Sequence, residues 1–326
     1  MKLTVWAPDG APEVAEGDDL AAILVALLAA DPHHALADGD VVVVTSKVVA
    51  KAEGRVRREP REDAIAEETV RVVARRGPTT IVRTRHGLTM AAAGVDGSNV
   101  APGHVVLLPV DPDASARALR RRVIELMGRV VGVVVTDTAG RAWREGQTDI
   151  AVGAAGVRVV EDLAGQVDAH GNSLAVTAPA VADELASAAE LAQGKLGRRP
   201  FAVVRGRADL VLPAGDDGPG AAALVRSDGT DMFGYGSREA VLRALAADPA
   251  DAHVYGSPAG ADEVADTIAG TLEVMATVVG EDHVVIEAGD EHTAWAVGVA
   301  AYAHGWNVAA AGSGSTVDLR PSPSLT

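Results

Sequence analysis

The chain alternates between short β-branched runs and longer blocks in which apolar residues recur three or four positions apart. Short apolar runs predict buried strands, and the wider spacing predicts helices with one apolar face. The predicted strands are residues 2–6, 40–45, 79–84, 105–110, 130–136, 201–205 and 284–287. The predicted helices are residues 20–25 with an end before Pro32, 61–76, 113–127, 181–193, 238–247, 261–278 and 293–304.

Local signals support several of these element ends. Asp18 and Asp19 can cap the first helix, and Gly194 closes the helix at residues 181–193. Taken alone, the alternation of strands and helices suggests an ordinary doubly wound sheet. Residues 312–326 contain Gly, Ser and Pro, which predicts a loose terminus.

Composition narrows the classes of function. The 326 residues suggest about two domains, and since 48% are apolar but only 3% aromatic, small aliphatic side chains must form the core. A net charge of −16 argues against a general nucleic-acid binder, which needs a basic face for phosphates. The absence of cysteine excludes disulfides, zinc–thiolate sites, iron–sulfur clusters and a thiol nucleophile.

Neither a membrane span nor a secretory signal is visible. No apolar run reaches the ~18 residues of a spanning helix, so we expect a cytoplasmic protein.

Charge is unevenly distributed along the chain, because residues 231–326 carry −11 and the preceding 230 residues carry −5. Either two domains have different solvated faces, or a boundary near Gly229 separates an anion-binding domain, residues 1–229, from an acidic region, residues 230–326.

The first segment with candidate chemistry is residues 95–99. Asp96 and Asn99 lie in a tight, Gly-containing turn and can point the same way. Asx turns of this composition are common and need no ligand, so on its own this segment favours a structural role.

The second segment, residues 136–147, is predicted to be a loop after an apolar strand and contains Asp137, Thr138, Arg141 and Arg144. Ligands of open sheets bind beyond the carboxyl ends of strands. A carboxylate there can hold a hard cation, and arginine binds phosphate or carboxylate with two hydrogen bonds. A surface loop of mutually paired charges is the alternative.

The third segment, residues 46–54, follows another buried strand and contains Lys47 and Lys51 beside Gly54. Two lysines in this position can receive phosphate oxygens, although a solvated lysine face is the more frequent meaning. The chain contains no phosphate loop, no dinucleotide-binding glycine motif after a strand and no nucleophile elbow.

Five segments in the same order and spacing resemble the coenzyme F420:L-glutamate ligase family, the F420 gamma-glutamyl ligases. They are residues 39–40 with 46–54, 93–99, 137–146, 181–191 and 203–206. The resemblance covers about residues 1–210, and residues 137–146 are its most specific part.

The resemblance implies a mixed α+β fold with two intertwined parts, in place of the doubly wound sheet, in a homodimer; residues 230–326 would add a small α/β region. It implies a GTP-dependent amide ligase that joins L-glutamate to the deazaflavin precursor of F420 and then adds further γ-linked glutamates. GTP would activate the acceptor carboxylate as an acyl phosphate. The implied ions are Mg²⁺ or Mn²⁺, with K⁺ as a helper.

The resemblance also implies roles for individual residues. Asp96 and Asp137 match metal-binding aspartates, and Thr138 matches the neighbouring metal ligand. Arg141 and Arg144 join the two aspartates as catalytic candidates. The residues expected to contact GTP are Ala11, Pro12, Glu13, Val14, Ser46, Lys47, Lys51, Asn99, Gln193, Gly194 and Lys195.

Two of these positions depart from the family pattern. Ser46 and Lys47 align with a Ser-Thr pair of the family, so Lys47 is a departure from it. Lys195 stands where archaeal members often have a metal-binding Gln. Because a protonated lysine cannot ligate a cation, either the second metal site is lost or Lys195 replaces part of its charge.

Residues 230–326 are too few for the flavin-binding, nitroreductase-like domain that follows the ligase in some members. Two other functions stay open on the sequence alone. One is a two-function protein with a redox step in this region, and the other is an inactive module that binds nucleotide or deazaflavin.

Overall fold

The computed structural model describes residues 2–227, 229–231, 233–311 and 316–322. The chain forms two compact units, Met1–Val225 and Arg226–Thr326. The predicted boundary near Gly229 lies a few residues beyond this division. Helices and several sheets occur together, so the predicted mixed α+β class is confirmed. The expected intertwining of two parts stays a prediction.

The first unit contains the site candidates. Its helices are α1 (Leu20–Ala29), α2 (Ser46–Ala52), α3 (Arg61–Glu68), α4 (Pro112–Met127) and α5 (Val181–Gln193). Its strands are β1 (Thr4–Trp6), β2 (Val41–Thr45), β3 (Val56–Arg57), β4 (Thr69–Arg76), β5 (Thr79–Thr84), β6 (Thr89–Ala91), β7 (Val105–Val106), β8 (Gly132–Arg141), β9 (Arg144–Ala155) and β10 (Phe201–Arg205).

The central sheet has the strand order β1-β10-β2-β8-β9. Only β2 and β8 pair in parallel among these neighbours, and the other pairs are antiparallel. The ordinary doubly wound sheet suggested by the alternation is therefore wrong, because β9 follows β8 through a tight hairpin instead of a crossover helix. The central sheet is mixed, in agreement with the α+β class that the resemblance implied.

The central sheet is buried on both faces, which explains the uninterrupted valines of β2. Val42 and Val44 pack with α1 and α4 on one face. Val41 and Val43 pack with α5 on the other face. Successive strand residues point to opposite faces, so a strand covered on both sides needs apolar residues at every position.

The first unit also contains two smaller sheets, β3-β7 and β4-β5-β6. Their cluster of buried residues includes Val82, Val95 and Leu107. Val95 precedes Asp96, so this cluster anchors the loop that carries one of the candidate aspartates.

Three predicted elements of the first unit need correction. The helix predicted at residues 61–76 ends at Glu68, because the β-branched run from Thr69 onward pairs with β5 instead. The strand predicted at 105–110 is confined to Val105–Val106. Residues 137–147 are not a loop, because β8 and β9 continue through them as a hairpin.

The second unit is a four-stranded antiparallel sheet with helices. Its elements are α6 (Ser237–Ala246), α7 (Ala261–Leu272), β11 (Met275–Gly280), β12 (His283–Glu287), α8 (Glu291–Ala303), β13 (Trp306–Ala311) and β14 (Thr316–Pro321). The sheet order is β11-β12-β14-β13, and Ile268, Trp306 and Leu319 lie in its apolar cluster.

Two predictions for this unit are wrong in part. The helix predicted at residues 261–278 ends at Leu272, after which Glu273 takes a left-handed conformation and the valine-rich run forms β11. Residues 316–321, predicted as part of a loose terminus, form β14, whereas residues 312–315 and 323–326 lie outside the described residues. Within the described part of the chain, no helix has both the length and the apolar character to cross a membrane.

Candidate functional site

The parallel pairing of β2 with β8 sets the centre of the site. Thr45 lies opposite Thr136, so the next residues, Ser46 and Asp137, leave the pair at the same edge. The Ser46 hydroxyl donates a hydrogen bond to Asp137 Oδ1 over 3.1 Å. Two segments that are far apart in sequence thereby place a hydroxyl and a carboxylate in contact.

Helix α2, absent from the sequence prediction, extends the site on one side. Lys47 Nζ lies 2.6 Å from Asp96 Oδ2 and donates to Ser98 Oγ over 2.7 Å. Backbone hydrogen bonds in both directions with Val106 hold the Asp96 main chain. Burial acts to raise the pKa of Asp96, but the hydrogen bonds from Lys47 and Ser98 outweigh it and lower the pKa.

The turn at residues 95–99 therefore has the local geometry expected of an Asx turn. The Ser98 backbone N–H donates to Asp96 Oδ1 over 2.7 Å, and Asn99 is in the left-handed region, with φ at 55°. This turn also brings Asp96 to a lysine from α2, so it contributes to the site as well as to the local structure.

Asp149 is a site residue that sequence reasoning missed. It lies opposite Thr138 in the β8–β9 hairpin and is only 3% exposed. Its two carboxylate oxygens accept hydrogen bonds from Thr136 Oγ1 over 3.0 Å and from Thr138 Oγ1 over 2.8 Å. The sequence places Asp149 twelve positions after Asp137, and only the hairpin register brings it back to the same edge.

Lys195 reaches the same carboxylate from the residues after α5. Its Nζ lies 2.6 Å from Thr138 Oγ1, 3.2 Å from Asp149 Oδ1 and 2.9 Å from Glu190 Oε1. Burial acts to lower the pKa of the Lys195 ammonium, but the hydrogen bonds and charges of Glu190 and Asp149 outweigh it and raise the pKa.

Asp137 has the most perturbed carboxyl group of the site. Burial raises its pKa to about 7, and the negative charges of Asp149 and Asp96 add to this, against the hydrogen bonds from Ser46 and the Thr138 backbone. Asp137 thus lies close enough to both Asp149 and Asp96 for their charges to act on it. A cation is the partner that such a cluster of carboxylates favours.

An open cleft of about 240 Å³ is lined by residues of α2 and of the turn that carries Asp96, among them Lys51 and Asn99. Lys51 projects into it, forms an ion pair with Glu13 and donates to the Asn99 carbonyl oxygen over 2.8 Å. The hydrogen bond from Lys51 lowers the pKa of Glu13. Val14 and His104 also line the cleft. Several residues expected to contact the nucleotide, from three separate segments, are therefore neighbours.

Gln193 is fully buried in the last turn of α5, before Gly194 ends the helix with φ at 63°. Neither its amide oxygen nor its amide nitrogen has a hydrogen-bond partner among the described residues. Buried polar groups are nearly always paired, so this free amide is an unusual feature of a helix that also supplies Glu190.

Arg141 and Arg144 lie at the exposed tip of the β8–β9 hairpin. Arg141 Nη2 donates to the Glu145 carbonyl oxygen over 2.9 Å. No hydrogen bond or ion pair within the described part of the chain links either arginine to Asp96 or Asp137. Their predicted catalytic role stays a prediction.

The side-chain oxygens of this cluster are of the type that a hard divalent cation binds. Asp96, Asp137 and Thr138 supply oxygens, although among the described residues no three acidic or imidazole side chains are arranged to hold an ion by themselves. Mg²⁺ in phosphoryl-transfer enzymes is commonly held by one or two carboxylates together with substrate phosphates and water. The protein therefore provides a suitable part of such a coordination shell.

Comparison with known proteins gives a consistent result. A family model described as F420-0:Gamma-glutamyl ligase matches residues 10–206. The chain is 40% identical to the coenzyme F420:L-glutamate ligase of Archaeoglobus fulgidus over 227 residues, 63% of this chain and 88% of the relative. It is 39% identical to the enzyme of that name from Methanopyrus kandleri over 241 residues, 68% of this chain and 93% of the relative. The matched residues contain all the contacts just described, and the chain belongs to the F420-0:gamma-glutamyl ligase family.

Proposed function

We propose that the first unit catalyses the GTP-dependent addition of L-glutamate to the deazaflavin precursor of coenzyme F420, followed by further γ-linked additions, and acts as a homodimer. The observation that carries this proposal is the convergence of Asp96 and Asp149 on Asp137, with Lys51 one helical turn after Lys47 on α2. The proposal is also supported by family membership and by the relatives named as coenzyme F420:L-glutamate ligases.

The reaction begins with activation of the acceptor. A carboxylate oxygen of the precursor attacks the γ-phosphorus of GTP, the bond to the β–γ bridging oxygen breaks, and GDP leaves. The Lys51 ammonium binds nucleotide phosphate as a point charge, once the incoming phosphate displaces Glu13. Asp96, Asp137 and Thr138 would hold Mg²⁺ or Mn²⁺, which when bound offsets the repulsion between the phosphates and the attacking carboxylate.

The amide then forms on the resulting acyl phosphate. The α-amino nitrogen of L-glutamate attacks the acyl carbon, phosphate leaves with the electrons of the carbon–oxygen bond, and the amine loses its proton. Neither step needs a side-chain nucleophile, since positioning and charge stabilisation supply most of the catalysis of phosphoryl transfer. A requirement for K⁺ is a further expectation for which no residues are assigned.

Mass spectrometry of the deazaflavin tests this function. The full chain is incubated with the precursor, GTP, Mn²⁺ and L-glutamate, and we expect products heavier by one or more glutamyl residues with equal release of GDP and phosphate. Reactions without GTP or without glutamate are the controls. Precursor that stays unchanged while it binds the protein would support the inactive binding module instead, and a change in the absorbance of the deazaflavin without glutamylation would support a redox step.

A further inference from the structure

The Lys195 ammonium is surrounded by oxygen atoms, as a bound metal ion would be. Its three N–H groups face three oxygens, the Thr138 hydroxyl and the carboxylates of Asp149 and Glu190, at 2.6–3.2 Å. A lysine ammonium has three donors and no acceptor, so these contacts use its full capacity. Hydroxyl and carboxylate oxygens are also the ligands that hard cations select.

Lysine is rare in this chain, and most of its lysines lie in the site. Only four of the 29 basic Lys and Arg residues are lysines, namely Lys2, Lys47, Lys51 and Lys195. Three of the four lie in the site, where each contacts a carboxylate. Lysine is a compact point charge and arginine a planar fork, so a position that stands in for a spherical ion favours lysine.

Lys47 makes a similar contact with a carboxylate. Lys47 contacts Asp96 on the α2 side of Asp137, and Lys195 contacts Asp149 on the α5 side. Asp137 itself, between them, receives its side-chain hydrogen bond from the neutral Ser46 hydroxyl. Fixed positive charge is therefore present at both flanks of the cluster, while the central carboxylate has no lysine of its own among the described contacts.

We propose that the Lys195 ammonium is a tethered cation that fills the position between Thr138, Asp149 and Glu190. This chain then binds one divalent cation, at Asp137. Without the lysine, the same oxygens would bind a second one. A metal ion on these oxygens would lie about 2.0–2.6 Å from each, so it cannot occupy the position together with Lys195 Nζ. The proposal rests on the cation requirement of the proposed function.

Mn²⁺ binding to the purified full chain tests the proposal without using ligase activity. Calorimetry and the decrease in the signal of free Mn²⁺ in electron paramagnetic resonance give the number of ions bound per chain. We expect one Mn²⁺ for the wild type and two for Lys195→Gln, with the added ion bound at least about tenfold more tightly than any second ion in the wild type. The Lys195 side chain is half exposed, so ions can enter from solvent once the charge is gone.

Two variants serve as controls. Lys195→Arg keeps the charge and should keep one Mn²⁺, and Lys2→Gln removes the only lysine outside the site and should also keep one. Two ions on the wild type, or one ion on a folded Lys195→Gln, would each overturn the proposal. If Lys195→Gln does not fold, the wild-type stoichiometry still decides, because two ions contradict a tethered cation and one supports it.

The same titration separates this proposal from the proposed function. One Mn²⁺ on the wild type and two on Lys195→Gln, in a protein that does not extend the deazaflavin, would uphold the tethered cation and contradict the ligase. Glutamylated product from a wild type that binds two Mn²⁺ would uphold the ligase and contradict the tethered cation.

Discussion

The two units of the chain bury different kinds of side chain. In the second unit, the described buried residues are apolar, as in the cluster around Ile268, Trp306 and Leu319. In the first unit, buried polar and charged residues accompany a larger apolar core. They are Asp40, Ser46, Lys51, Glu68, Thr84, Arg120, Thr136, Asp149 and Gln193. Burial of polar groups costs free energy, so their concentration in one unit needs an explanation.

Pairing divides these polar residues into two groups. Arg120 donates to the Val131 carbonyl oxygen and to other acceptors, and Glu68 accepts hydrogen bonds from Arg55 and Arg85, so these residues are compensated within the fold. Gln193 is buried without a partner among the described residues. Among these nine residues, only Gln193 has unpaired side-chain atoms. Compensated and uncompensated polar residues are therefore both buried in the first unit, whereas the buried residues of the described part of the second unit are apolar.

Asp137→Asn gives the strongest test of this difference. The amide has nearly the shape of the carboxyl group but no charge, so the fold should persist while cation binding fails. We expect kcat/KM for glutamylation to fall by more than about 100-fold. Steady-state assays over a range of Mg²⁺ concentrations measure the change, and near-normal activity at low Mg²⁺ would show that Asp137 is not a metal ligand.

Asp149→Asn should have the next largest effect. Asp149 orients Thr138 and contacts Lys195, so its loss disturbs two neighbours of the expected cation. We expect a loss of about 10- to 100-fold in kcat/KM. Asp318→Asn in the second unit, whose carboxylate contacts His283, is a matched control and should leave the ligase rate unchanged. Equal losses in the two variants would contradict the assignment of the site to the first unit alone.

Lys51→Ala should act on the nucleotide. A charged hydrogen bond contributes about 1.5–3 kcal/mol, so the KM for GTP should rise about tenfold or more while the KM for glutamate changes little. Initial rates with each substrate varied in turn separate the two constants. A raised constant for glutamate with an unchanged constant for GTP would place Lys51 in the amino-acid pocket.

The pKa of Asp137 predicts a pH dependence of stability. Its folded pKa of about 7 lies above the ordinary 3.8, so the folded state retains a proton that the unfolded state releases first. The wild type, free of metal, therefore loses stability as pH rises from about 4 to 7. Relative to the wild type, Asp137→Asn should gain at least about 2 °C in Tm between pH 5 and pH 8. A constant Tm difference across this range would show that Asp137 ionises normally.

Truncation after Val225 should have the smallest effect. The family match ends at residue 206, and the described contacts of the site all lie within the first unit. We expect kcat/KM to stay within about twofold of the full chain, as for an independent domain. A folded but inactive truncated chain would show that residues 226–326 contribute to catalysis.

The sequence predicts many helices and strands of the first unit, but not how its strands pair or in which register. The buried strand Val41–Thr45 and the helix Val181–Gln193 follow from local pattern, and the resemblance of residues 137–146 identifies the family. Residues 61–76 contain helical spacing throughout, yet the last eight pair with β5, so tertiary pairing overrides local spacing. Asp149 could not be found for a related reason, because its place beside Thr138 depends on hairpin register, which periodicity does not specify.

The location of the lysines has a practical consequence for chemical labelling. Reagents that acylate side-chain amines find only four targets in the chain, and three of them contact site carboxylates. Lys195 is the most accessible of the three, with 57% of its side chain exposed. Immobilisation or dye coupling through amines would thus modify the site along with Lys2, whereas the 25 arginines offer no such reactivity. An amine-reactive reagent, used with and without added GTP, would therefore report whether the nucleotide covers these lysines.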